Sequence, residues 1–466
     1  MNKNIFTLSL ISSIVLLAGC SFIPKNIETS PQIASQYTMI EQKQDGLKSI
    51  DIAWQDFFQD KQLQYLINLA LENNRDLKTA ALNIQQAQAL YNIQSADSLP
   101  SINGSASFTR ARTISNILNQ PVVGSNYQVG VSLASFELDF FGRVKSLNQA
   151  ALNQYLATEE AYKSVHLSLI SEVAKAYLSQ VSYSEQLILA QNTYKSREDA
   201  YKLAKQRLEG GISSALELSL NETLVQSAKV SLLTLHRQLL QSKNALTLLV
   251  GKPIISTQLP QGLNLAEQNL SNINAGLPAE LLANRPDIRS IEKKLKASNA
   301  NIGAARAAFF PRISLTSGIG LASGDLSDLF KSNALNWSFM PQLVLPIFEG
   351  GRNNNNLKLA EIRKNLSIIE YEKTIQTAFR EVSDALVAKG LLKDQINAQI
   401  AVEKAQTNRL NLVNIRYKNG ISNYIEVLDA QRELFTAQQN IIQTRLLDLV
   451  NTIDLYKSLG GGLKSK

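Results

Sequence analysis

From residue 127 to 134 the side chains alternate. Tyr127, Val129, Val131 and Leu133 fall on one side of an extended chain, and Gln128, Gly130, Ser132 and Ala134 on the other. That is the period of two of a β-strand. The alternation returns in the second half, with Ile313 and Leu315 against Ser314 and Thr316, and with Trp337, Phe339, Leu343 and Leu345 on one face. It predicts two pairs of strands, near 101–112 and 127–139 and near 312–321 and 336–347, each with an apolar and a small or polar side. A soluble hairpin carries the same pattern, so periodicity alone does not place the strands in a membrane.

Elsewhere the period is helical. Residues 144–209 contain neither Gly nor Pro, and 353–419 contain only Gly390. A helix of the first length extends about 100 Å at 1.5 Å per residue, far beyond the three or four turns usual in a globular domain. Such a helix must lie along partners, and Val165, Leu169, Val173, Ala176 and Tyr177 mark a coiled-coil-like stripe for them. Gly210 and Gly211, and later Gly420, reverse the chain into returning helices over 213–250 and 422–459. A shorter helix precedes each strand pair, roughly 63–97 and 279–309, stopped by Pro100 or Pro311.

The two halves repeat one another. RLEGGISSALELSL at 207–220 echoes RYKNGISNYIEVLDA at 416–430, each with an Arg four residues before a Gly and a Glu six residues after it, Glu217 and Glu426. Asp76 and Asp287 each stand 24 residues before a proline; Arg143 and Arg352 each stand 29 before a Glu-Val; Gly211 to Gly251 and Gly420 to Gly460 are both 40 residues. Landmarks in one order at offsets of 209 to 211 residues indicate a tandem duplication.

Composition narrows the function. The charge of +8 comes from Lys and Arg scattered among acids, without an aromatic-studded basic stripe, so nucleic acid is not an expected partner. His166 and His236 have no Cys or acidic cluster at metal spacing, and EGGR at 349 and LGGG at 459 do not join a strand to a helix as a phosphate loop does. No enzyme, cofactor or metal is expected. Lys3 precedes an uncharged apolar run from Ile5 to Ala18, the shape of a secretory signal peptide over 1–19. Leu17, Ala18, Gly19 and Cys20 resemble a bacterial lipobox, which implies cleavage before Cys20, the one cysteine, and acylation of its thiol. The neutral Ser21 accords with sorting to the outer membrane.

In hydrocarbon the backbone must be fully paired, so a membrane sheet must close. Four strands cannot, because small closed barrels need about eight. Several chains must therefore share one barrel, and three would supply twelve strands.

The lipobox, the duplicated plan, RYKNGISNYIEVLDAQ at 416–431 and DLYKSLGGG at 454–462 resemble the TolC-like outer membrane factors, in their lipoprotein branch. The resemblance covers essentially the whole mature chain. It implies a mixed α and transmembrane β fold: a homotrimer with a twelve-stranded β-barrel, four strands per chain, continuous with a long α-helical coiled-coil barrel. The implied divisions are a lipid-anchored extension and equatorial region at 20–60, a first repeat at 61–262 with its helical hairpin at 142–250, a second at 263–460 with its hairpin at 351–459, and a tail at 461–466. The resemblance further implies efflux of small molecules such as antibiotics, outer membrane lipid around the barrel, a periplasmic adaptor (membrane fusion protein) and an inner-membrane resistance-nodulation-division transporter.

Family roles map onto the tips. Glu426 and Asp429, three apart and on one helical face, would form stacked acidic rings under threefold symmetry, tuning gating and cation selectivity. Ile425 falls at an apolar constriction, and Tyr417 matches a tyrosine that ties neighbouring hairpins, with Glu217 as the acid of such a tie. Ser422 stands where some relatives carry Arg, which puts an ionic lock there in doubt. A solvated helix face is the ordinary alternative for the acids. Two other functions stay open: a conduit for protein secretion, and a non-conducting periplasmic coiled-coil lipoprotein, which would not account for two pairs of alternating strands.

Overall fold

The structure is a computed structural model in which residues 21–25, 47–114, 120–274, 276 and 278–464 are described. The signal segment and Cys20 lie outside the described residues. The described elements, in order, are β1 (Leu47–Lys48), α1 (Trp54–Phe57), α2 (Lys61–Asn73), α3 (Arg75–Ala96), β2 (Ile102–Ile114), β3 (Pro121–Leu138), α4 (Arg143–Glu209), α5 (Ala215–Val250), β4 (Ile273–Asn274), α6 (Glu280–Asn284), α7 (Pro286–Ala307), β5 (Arg312–Ser323), β6 (Leu335–Val344), α8 (Arg352–Lys418) and α9 (Tyr424–Ser458). The chain divides into two compact units, each discontinuous in sequence.

One unit, with residues 83–159 and 290–372, holds an antiparallel sheet in the order β2-β3-β5-β6. Register explains the alternation. Gly104 pairs with Val131, Val131 with Ile319 and Ile319 with Trp337, while Ile102, Leu133, Ser317 and Phe339 form the next row on that face. The opposite face carries Ser105, Gly130, Gly320 and Asn336 in one row and Asn103, Ser132, Gly318 and Ser338 in another. Over these rows one face is apolar and the other small or polar, as period two requires, while further along β2 Arg110 and Arg112 fall on the apolar side. A bulge after Leu133 lets Ser135 take φ 49° and moves the apolar positions to Phe136 and Leu138, opposite Leu315 and Ile313.

Both edges are open among the described residues. Every residue of β2 and of β6 is exposed, including Trp337 at 71%. Pro341 has no N–H to donate and is tolerated in β6 because β6 is an edge. Strand bounds differ from the pattern by more than two residues at two ends: β3 begins at Pro121, six residues before 127, because Val122 and Val123 pair with Thr113 and Arg112, and β6 stops at Val344 rather than 347.

The other unit, with residues 47–82, 160–289 and 373–464, holds the parallel pair β1-β4 and the helical hairpin tips. The two short helices expected at 63–97 and 279–309 are each broken in two. Asn74 interrupts the first, its Oδ1 accepting from Leu77 N at 2.9 Å and its Nδ2 donating to Leu249 O at 2.9 Å. Arg285 interrupts the second just before Pro286, where proline favours an extended predecessor and suits a first helical turn. The breaks are repeat equivalents, and so are the glycines packed on them. An ideal Cβ on Gly251 would lie 2.5 Å from Asn73 O, and one on Gly460 would lie 2.7 Å from Asn284 O; both residues have positive φ, 78° and 80°.

Two buried polar groups in this unit, Asp60 and Tyr456, are well matched, whereas Ser171 Oγ and His166 Nδ1 are buried without a hydrogen-bond partner. Asp60, 1% exposed, caps α2 through Gln62 N and Leu63 N and also accepts from Tyr177 Oη, Leu263 N and Gln268 Nε2 at 2.7–3.0 Å. Phe57 stacks on Tyr456 at 3.9 Å, and the Tyr456 hydroxyl donates to Ile52 O at 2.7 Å. Among the described residues no helix is long and apolar enough to cross a membrane.

Candidate functional site at the hairpin tips

The tips are built by one local code used twice. Helix α4 ends in a Schellman motif, with Ile212 N donating to Arg207 O at 2.8 Å and Gly211 N to Leu208 O at 2.9 Å. Helix α8 ends the same way, through Ile421 N to Arg416 O at 2.9 Å and Gly420 N to Tyr417 O at 3.0 Å. Gly211 and Gly420 have φ 74° and 72°, whereas Gly210 needs no positive φ and only extends the helix through its bond to Gln206 O. Each returning helix then starts with a side-chain cap: Ser214 Oγ accepts from Glu217 N at 3.2 Å, and Asn423 Oδ1 accepts from Glu426 N at 3.1 Å. A second serine donates to each glutamate, Ser213 to Glu217 at 2.8 Å and Ser422 to Glu426 at 2.6 Å.

On this symmetric frame sits an asymmetric latch between the hairpins. The Tyr417 hydroxyl accepts from Arg207 Nη1 at 2.6 Å and donates to Glu217 Oε1 at 3.3 Å, and Arg207 lies 3.9 Å from the same carboxylate. The Arg207 guanidinium also stands 5.9 Å from the Tyr417 ring centre, within cation–π range. Tyr424 packs against Tyr417 at 5.2 Å and donates to Asn221 Oδ1 at 2.8 Å. Burial, then the neighbouring Tyr417 and Glu217, push the Tyr424 phenol up, so it stays protonated as a donor. The repeat partner of Arg207 is Arg416, which is exposed.

The acids differ in their surroundings. Glu426 is exposed and bonded to Ser422 and, through its N–H, to the cap Asn423, and Ile425 beside it is 57% exposed. Asp429 is paired, with Arg409 at 2.6 Å and Arg432 at 2.7 Å. Within the chain, then, Asp429 is not the free carboxylate that a simple pair of stacked acids requires. Tyr417 and Glu217 come together; Glu426 and Asp429 share no partner.

Sequence reasoning gave no role to Arg207, Arg409, Arg432, Tyr424 or Asn221. Counting outward from the turn would have found one of them, since Arg409 lies 11 residues before Gly420 and Asp429 lies 9 after it. Among the described residues no group of His, Cys, Asp and Glu could hold a metal ion.

The whole chain is similar to known proteins. The profile of the family described as outer membrane efflux protein matches residues 66–252 and again 277–461, one match per half. The chain is 40% identical over 464 residues to outer membrane protein OprJ of Pseudomonas aeruginosa, covering 99% of this chain and 97% of that one. It is 42% identical over 457 residues to the toluene efflux pump outer membrane protein TtgI of Pseudomonas putida, covering 97% of each. Among solved structures, the open state of the Neisseria gonorrhoeae MtrE outer membrane channel superposes with a TM-score of 0.87 at 38% identity, covering 96% of this chain and 99% of that one. A family of conduits rather than enzymes is thus matched in both repeats and nearly end to end, and the chain belongs to it: it is an efflux channel of the outer membrane, a TolC-like outer membrane factor.

Proposed function

We propose that three copies of the chain close one twelve-stranded barrel in the outer membrane and that the hairpin tips form its periplasmic gate. The observation that carries this reading is the sheet of one protomer: one apolar face, one polar face and two open edges. An apolar face of this extent is stable only against another apolar phase, and unpaired strand edges are excluded from hydrocarbon. Pairing β2 of one copy with β6 of the next satisfies both demands. Acylation of Cys20 anchors each copy, and the repeats at 61–262 and 263–460 each contribute a strand pair and a helical hairpin.

In this assembly the channel conducts passively, and selection rests with its partners. They are a periplasmic adaptor and a proton-driven inner-membrane transporter of the resistance-nodulation-division type. The cargo is small and chemically broad, including antibiotics and solvents; relatives are named as solvent and toluene efflux pump components. The latch of Arg207, Tyr417 and Glu217 holds the two hairpins of a protomer together, and three Glu426 side chains with Ile425 narrow the bore. Asp429 acts differently: its two arginines hold the second hairpin in register and leave Glu426 as the main source of cation preference.

Single-channel conductance in planar bilayers tests this reading. The wild type should show a small, cation-selective conductance; Glu426→Ala should lose most of the selectivity, and Asp429→Ala should change opening more than selectivity. Folded, inserted protein that never conducts, even after Tyr417→Phe, would overturn the channel assignment.

A further inference from the structure

Residues 21–25 follow Cys20 directly and pack on the unit that holds the sheet. Phe22 stacks on Phe310, with ring centres 4.6 Å apart and planes 14° from parallel, and Phe310 in turn stacks on Phe141 at 5.1 Å and 19°. Ile23 lies over Gly303, where an ideal Cβ would fall 2.7 Å from Ile23 Cγ1 and 2.7 Å from Ser146 Oγ. Asn299, only 3% exposed, donates from Nδ2 to the carbonyl of Pro24 at 2.8 Å. Three consecutive residues are thus each engaged by a different device, while Ser21 and Lys25 on either side are exposed.

A passive tether requires none of this. A flexible leash would leave Phe22 and Ile23 in water, and a helix facing solvent would not bury an asparagine to meet a proline carbonyl. The seat also has a defined position. Phe310 stands two residues before Arg312, the first of β5, and Phe141 three after Leu138, the last of β3.

We propose that Phe141, Asn299, Gly303 and Phe310 form a binding site for the segment behind the acylated cysteine, which docks the lipid anchor at the base of the protomer's own sheet. Phe22 is two residues from Cys20, and a two-residue link reaches at most about 7 Å. The site therefore places the acyl chains beside the ends of β3 and β5. The anchoring half of this inference rests on acylation of Cys20; the docking half does not.

The two halves are separable in one experiment on the full chain, expressed with its own signal segment. Palmitate labelling reports acylation, and oxidation of an Ile23→Cys, Gly303→Cys pair in the same membranes reports docking. A photoreactive phenylalanine analogue at position 22, which leaves Gly303 intact, should capture the peptide containing Phe310. The expected result is labelled protein that cross-links within the chain, with Phe22→Ala slowing disulfide formation about tenfold, a factor that corresponds to 1.4 kcal/mol. Labelled, trimeric protein that forms neither cross-link would overturn the seat. Cross-linked protein that takes up no palmitate would overturn delivery of a lipid by it.

Discussion

At the tip a single phenol carries two charged contacts. Tyr417→Phe keeps the ring against Tyr424 but removes the oxygen that accepts from Arg207 and donates to Glu217. Hydrogen bonds to charged groups are worth about 1.5–3 kcal/mol when buried and less when half exposed. A weakening of the closed tip by about 1 kcal/mol per protomer is therefore expected. Cells that express Tyr417→Phe without a transporter should become more permeable to a bulky antibiotic, and unchanged permeability would remove Tyr417 from the latch. A second residue-scale consequence concerns pH. Arg285 bonds Asp287 at 2.7 Å, Glu381 at 2.8 Å and Ser458 O at 3.0 Å. Burial alone would raise Asp287, but the hydrogen bond and charge of Arg285 outweigh it and hold the carboxyl below its ordinary value. Burial lowers the His166 imidazole. Both shifts are downward, so in each case the unfolded chain takes up the proton first as pH falls. The stability from His166 is complete above about pH 6.5, and that from Asp287 above about pH 4; each is lost as pH drops toward the folded value. Urea unfolding across pH should show both losses, with His166→Gln flattening the upper one and Asp287→Asn the lower.

Among the elements, the most demanding positions are the glycines that seat a helix end against a helix break. Gly211→Ala or Gly420→Ala meets only the backbone cost of a left-handed residue, about 1–2 kcal/mol, because the space around each is open. Gly251→Ala and Gly460→Ala pay the same cost and also drive a methyl into the carbonyl of Asn73 or Asn284. Their urea midpoints should fall well below those of the tip variants, and equal midpoints would contradict the packing argument. The elements were largely legible beforehand because strand and helix periods are local: Tyr127 to Leu133 and the glycine-free 144–209 stretch announce themselves. Less legible was whatever depends on two distant segments. The break at Asn74 is fixed by its contact with Leu249, whereas the break at Arg285 follows from the adjacent Pro286, a local signal that the helix expected over 279–309 ran through. The bulge at Ser135 is fixed by its register against Leu315. At the tips the repeated Glu could be read, as could Tyr417 through its family likeness. The pairing of Asp429 with Arg409 needed a count outward from Gly420 along both helices, since it depends on how two antiparallel helices face each other rather than on spacing along one.

For the whole molecule, the duplication gives each protomer two strand pairs that join into one sheet through β3 and β5, so the seam between repeats is paired and the outer strands β2 and β6 are left open. A single chain has no way to close that sheet, which makes assembly a condition of membrane residence rather than an addition to it. The polar face, with Ser, Gly, Asn and Thr residues in register, suits a wet bore that selects little, and in the proposed assembly the discrimination falls to the partners and the tips. The most direct test of this account is disulfide cross-linking in native outer membranes between β2 and β6, with Ser107→Cys combined in turn with Asn336→Cys, Ser338→Cys and Gln342→Cys. The only natural thiol is Cys20, replaced by Ser in a parallel set so that any bond reports the engineered pair. Covalent dimers and trimers and no larger species are expected, from at least one pairing. Ladders that run past three chains, or membrane-inserted protein that forms no cross-link between chains at any position, would contradict it.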